Sequence, residues 1–140
     1  MAIKSLFPEG MMESAGSSLS LDAIKAKLNY FELQLHELHW QTRGFAEHEA
    51  LGKIYDIVFD VKDEIVEKIM GYTGTRTKAM PVQTIKDYTP GMAEQVVNEL
   101  QKFAQQLEEF GEANNMPDIE NIAQSLSGDA AQTKYRLTLS

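Results

Sequence analysis

Four stretches of this chain place their large apolar residues three or four positions apart, and no stretch of useful length alternates apolar with polar residues. That pattern narrows the fold sharply, because a 3.6-residue period lines side chains along one stripe of a helix whereas a strand needs a period of two. The first stripe is Leu21, Ile24, Leu28, Phe31, Leu35 and Leu38, reaching as far as Trp40. It follows Ser20, whose hydroxyl suits it to cap a helix N-terminus. "QTRGFAE" is a short break with Gly44 at its turn. The second stripe, Leu51, Ile54, Tyr55, Val58, Val61, Ile65 and Ile69, predicts a helix ending near Gly71. "GYTGTRTKAMPVQTIKDYTPG" then makes a long connection, expected to hold one short helix around Val82 to Asp87. Val96, Leu100, Phe103, Leu107 and Phe110 mark a third helix from about Met92 to Glu112. "NNMPD" precedes a fourth, over Ile119 to about Leu137.

Four amphipathic helices bury their stripes most simply against one another, and the length of the central connection implies that the third helix does not fold straight back beside the second. The expectation is an all-α, ferritin-like four-helix bundle over residues 20–140 with a long crossover between the second and third helices. Residues 1–19 mix glycine, serine and methionine without a period, which predicts a flexible arm or a strap lying on a neighbouring subunit. At 140 residues one domain is enough. The absence of cysteine rules out disulfide scaffolds and thiolate metal sites, and a reducing cytoplasm is the expected compartment. No apolar run approaches the ~18 residues of a membrane span, so no membrane partner is expected. With 13 basic against 21 acidic residues, a net charge of −8, and only Lys4 before Lys25, DNA is not an expected partner either.

All three histidines lie in "LHELHWQTRGFAEHEALGKIYDIVFDVKDEIVEK". His39 falls on the same side of its helix as Leu21 and Leu28, so its ring points inward and needs either a hydrogen-bond partner or a metal. His48 begins the next helix. Taking His48 as zero and about 100° per residue, Asp63 falls near ~60° and Glu67 near ~100°, along one edge of the apolar stripe. A solvated edge would look the same, but imidazoles together with carboxylates are also the donor mixture suited to iron or zinc. His36, roughly 60° from His39, is either a polar flank or a further donor. His48 and Asp63 are roughly 22 Å apart on a straight helix, so they cannot hold one ion within one chain. Two copies of the second helix running antiparallel about residues 56 and 57 would bring His48 of one level with the interval between Asp63 and Glu67 of the other, giving two equivalent sites per dimer.

His39, Trp40, Arg43 and Gly44 in "HWxxRG", His48 with Glu49, and Asp63, Glu67 and Lys68 together resemble the Dps family of mini-ferritins. The intervals from His48 to Tyr55, Asp63 and Glu67 fit the family register, and "TIKDY" resembles its crossover helix. The resemblance implies a dodecamer, a hollow shell with a ferroxidase centre at each two-fold interface. Such a shell oxidises Fe(II) with peroxide or oxygen, stores the ferric product and limits peroxide damage. It also implies that His39 and His48 are ligands from one chain and Asp63 and Glu67 from the other. Trp40 would pack beside the centre, where it could intercept oxidising equivalents; a core anchor at the helix end is its other reading. Two departures stand out. Gly52 occupies the place of an acidic ligand, and the loop from His39 to His48 is three residues shorter than the family's. Glu49, or Asp60 of the second copy, could substitute for the missing acid, while Asp56 would lie too near the two-fold axis. A zinc-binding or purely structural assembly with an inactive centre is the competing expectation.

Overall fold

The computed structural model describes residues 19–140, and the arm expected over 1–19 lies outside them except for Leu19. Four helices appear: α1 (Leu21–Gln41), α2 (Phe45–Thr73), α3 (Met92–Ala113) and α4 (Pro117–Arg136). No strand occurs among the described residues. The Ser20 hydroxyl accepts the Ala23 N–H at 3.1 Å and so caps α1. Pro117 starts α4, where its missing N–H has no partner to lose. The second helix ends near Gly71, as expected. It continues to Thr73 and ends on Gly74, whose φ of 72° is the left-handed conformation that lets a chain leave a helix. Gly71 merely lowers helix propensity, which is too weak to end a helix held by tertiary contacts.

Side-chain pairs fix the directions of the helices. His36 against Tyr55 and Asn29 against Lys62 make α1 and α2 antiparallel. Glu108 with Gln124 and Asn98 with Lys134 do the same for α3 and α4. Phe31 on α1 meets Phe103 on α3 with ring centroids 5.8 Å apart. The predicted stripes meet inside: Ile24, Leu28, Phe31, Leu35 and Leu38 face Leu51, Ile54, Val58, Ile65 and Ile69 and, across the core, Val96, Leu100, Phe103, Leu107, Ile119 and Leu126. Each large side chain removed from water in this way contributes about 1.5–3 kcal/mol. One charge is buried with them. Lys27, 1% exposed, lies 5.5 Å above the Phe103 ring. Burial pulls its pKa down to about 7, against the opposing pull of Glu99. Tyr30 is pushed up to about 12 by its own burial and, secondly, by Glu99.

The short helix expected over Val82 to Asp87 is absent; the chain there forms no regular element. The physical reason lies in α1, whose side chains take the backbone groups that a helix would have used. The Gln34 amide donates to the Lys86 carbonyl at 2.9 Å and accepts the Lys86 N–H at 2.8 Å, as a neighbouring strand would. Gln41 accepts the Tyr88 N–H at 2.6 Å and donates to the Asp87 carboxylate at 3.0 Å. Near the other end of α1, Asp22 accepts the Lys78 N–H at 2.8 Å and the Lys25 ammonium donates to the Lys78 carbonyl. The crossover is therefore a strap tied along the whole length of α1. It returns the chain to the far end of the bundle, so that α3 runs antiparallel to α1. No helix among the described residues is long and apolar enough to cross a membrane.

Candidate metal centre

The link between α1 and α2 is only Thr42 to Gly44, shorter than the break expected from "QTRGFAE". Glu47 explains the early start of α2. Its carboxylate sits in the first turn, where the helix dipole favours negative charge. It accepts the Thr42 hydroxyl at 2.5 Å and the Tyr88 hydroxyl at 2.7 Å, pinning link, helix and strap together. So tight a link leaves His39, in the last turn of α1, directly opposite His48, in the first turns of α2.

The two imidazoles stack with centroids 3.9 Å apart and planes 18° from parallel. Their bonds are reciprocal: Nδ1 of His39 is 2.8 Å from the His48 carbonyl oxygen, and Nδ1 of His48 is 2.9 Å from that of His39. A carbonyl only accepts, so both Nδ1 atoms carry the proton, and in the neutral ring each Nε2 keeps its lone pair. A backbone carbonyl that fixes one ring nitrogen in this way is the usual means of orienting a histidine ligand. His39 is half-buried rather than sunk into the core, so the inward imidazole found its partner at the bundle end.

Gly52 lies against the His39 ring. A Cβ there would stand 2.9 Å from Cε1 and 3.1 Å from Nδ1 of His39, closer than packed atoms allow. His36 is not bonded to the pair; it is held between Trp40, at 3.7 Å, and Tyr55, at 3.8 Å between centroids. Its pKa is lowered by burial first and by His39 second, against the pull of Glu32, Glu37 and Asp56. Trp40 is 63% exposed, so the reading of it as a core anchor is wrong; its ring covers His36 on the outside of the hairpin. Spacing did not reveal the roles of Tyr55 and Gly52. Tyr55 reads as one more apolar stripe residue, and the use of a glycine as space depends on which ring reaches it.

Asp63 and Glu67 are exposed on α2, as are Glu49 and Asp60. Asp63 borders a recess of about 180 Å³ with Lys25, Asn29, Lys62 and Val66, where Lys62 is already paired with Glu32 and donates to Asn29 at 2.9 Å. Because α2 is continuous from Phe45 to Thr73, the roughly 22 Å between His48 and Asp63 stands. Among the described residues no group of three or more histidine, aspartate or glutamate side chains is close enough to hold an ion. Within one chain the histidine pair and the acidic edge therefore do not make a metal site. A larger recess, about 520 Å³ and lined by Arg43, Phe45, Glu47, Tyr88 and Leu137 among others, contains none of the candidate ligands.

Known proteins show distant likenesses. The chain is 30% identical over 66 residues to the DNA protection during starvation proteins of Listeria innocua and Listeria monocytogenes. That match covers 45% of this chain and 39% of each relative, so the chain spans well under half the length of these curated relatives. A longer and weaker likeness, 22% over 132 residues, covers 89% of this chain and 93% of an uncharacterized 14.6 kDa protein in the mobD-ri intergenic region of Enterobacteria phage T4. No solved structure matches significantly. Residues 39–137, from the first histidine of the pair to the end of α4, match the model of a family of unknown function (DUF5856), and the chain belongs to that family.

Proposed function

We propose that this chain is a Dps-like subunit that binds Fe(II) between paired copies, oxidises it with peroxide or oxygen, and assembles into a shell that stores the ferric product. The observation that carries this reading is the locked imidazole pair on the same hairpin as an exposed Asp63 and Glu67. The distant likeness to DNA protection during starvation proteins supports it. His39 and His48 would offer their Nε2 lone pairs from one copy once the rings turn out of their stack, whose nearly parallel planes do not converge on one ion, and Asp63 and Glu67 would offer their carboxylates from the second. Iron is the substrate here, and carboxylate oxygens favour its ferric product. Each Fe(II) gives up one electron, and a peroxide accepts two. Leu33, Trp40 and Phe59, 48%, 63% and 50% exposed, form the apolar part of the face that would meet the second copy.

Stopped-flow measurement of Fe(II) oxidation tests the reading. Oxidation should run well above the buffer rate and fall tenfold or more in His39→Ala and in Asp63→Ala; a wild-type rate equal to buffer removes the enzymatic claim. A metal-binding assembly without turnover is the second reading, favoured by Gly52, which offers no oxygen donor. Metal analysis of protein purified without chelator, together with its mass in solution, separates the two.

A further inference from the structure

We infer that the end of the bundle where α1 passes into α2 seats this chain's own N-terminal segment, Leu6 and Phe7 packing against Phe45 and Glu9 and Glu13 lying beside the basic rim. The inference does not depend on the metal reading. Phe45 is 77% exposed, more than any other large hydrophobic side chain among the described residues. It lines two recesses. One, of about 520 Å³, also meets Arg43, Tyr88 and Leu137; the other, of about 340 Å³, meets Ala50, Lys53 and Arg136. Leu139, 50% exposed, and Ser140 border both. Large apolar side chains left in water beside open recesses suit an apolar occupant. The charge of the rim narrows the choice. Arg43, Lys53 and Arg136 gather here on a chain of net charge −8. Of the two acidic side chains in the lining, Glu47 already accepts the Thr42 and Tyr88 hydroxyls, which leaves Glu49. Gly44 begins α2 here without a side-chain cap, and a helix start favours negative charge. Residues 1–18, outside the described residues, carry Leu6 and Phe7 together with Glu9 and Glu13, against the single lysine Lys4. Reach permits the contact within one chain. The recesses lie at the C-terminal end of α1, which spans about 31 Å over its 21 residues. The thirteen residues from Phe7 to Ser20 extend to about 43 Å. A tethered segment also meets its seat at high effective concentration.

The chain has no cysteine, so pairs of cysteines placed in the full chain report the contact. Ser5→Cys is combined either with Ser140→Cys, at the mouth of both recesses, or with Glu112→Cys, exposed at the opposite end of the bundle. Under mild oxidation the first pair should close a disulfide within one chain at least fivefold faster than the second, although the segment joins the bundle at the Glu112 end. Phe45→Ser should remove that advantage, and so should Leu6→Ser with Phe7→Ser. Equal closure rates, or an advantage that survives the substitutions, would overturn the inference. Disulfides that join two chains would overturn it too, by assigning this end to a second copy. Should Phe45→Ser fail to fold, Leu6→Ser with Phe7→Ser decides alone, because it leaves every described residue unchanged.

Discussion

The two helical hairpins of this bundle are built to different degrees of completion. In α3 and α4 the large apolar residues face inward, and the one large hydrophobic side chain left exposed on those helices among the described residues is Tyr135. In α1 and α2 the inward stripe is just as full, yet Leu33, Trp40, Phe45, Phe59 and Tyr72 remain exposed, and so do Asp56, Asp60, Asp63 and Glu67 of α2. The chain carries a net charge of −8. On such a chain, large apolar groups left exposed on one hairpin are better suited to a partner than to water. The difference teaches that the core requires only one side of each helix, and that whatever the outer side of α1 and α2 carries is there for another purpose.

If that contrast is right, substitutions inside and outside should behave in opposite ways. The largest effect is expected for Phe103→Ala, which opens a cavity where α3 meets α1 and should cost about 3–5 kcal/mol in denaturant unfolding. Next comes Lys27, the one buried charged side chain among the described residues. Its pKa is lowered by folding to about 7, so above that value the unfolded chain holds a proton that the folded chain has released. Stability should therefore rise with pH from about 7 toward 10, by at most about 1.4 kcal/mol per pH unit. Thermal melts at pH 7 and 9.5 should show the rise, and Lys27→Met should abolish it; a flat wild-type profile would mean the ammonium is solvated after all. Gln34→Ala removes both bonds to Lys86 and should cost about 1–3 kcal/mol, with faster amide exchange at Lys86. The smallest effect on the subunit is expected for Trp40→Ala with Phe59→Ala. The pair should change unfolding by no more than about 1 kcal/mol, because neither side chain is in the core. Sedimentation should nevertheless show loss of self-association, and a large loss of stability without that change would erase the contrast.

Much of this was legible in the residues. Leu28, Phe31, Leu35 and Leu38, and likewise Val96, Leu100, Phe103 and Leu107, announce buried stripes by spacing alone, and Ser20 announces the cap it makes. "TIKDY" was misleading: its local pattern permits a helix, but Gln34 and Gln41, about fifty residues earlier in sequence, bind its backbone first. At the site, His39 and His48 stand out as residue types, whereas their reciprocal bonds depend on two helix ends meeting. Gly52 carried the opposite message in sequence and in space, an absent ligand in one and an occupied gap in the other.

That the chain is helical, where its stripes lie, and that His48 and Asp63 stand too far apart on one helix to hold one ion could be read from the residues, because helical period and rise follow from local backbone geometry. That the crossover is tied to α1 without a helix, that Trp40 is outside, and that His39 fills the space above Gly52 emerged only from the packed molecule. Those outcomes turn on which distant group reaches a backbone amide or an open gap first, and spacing along the chain does not encode that competition.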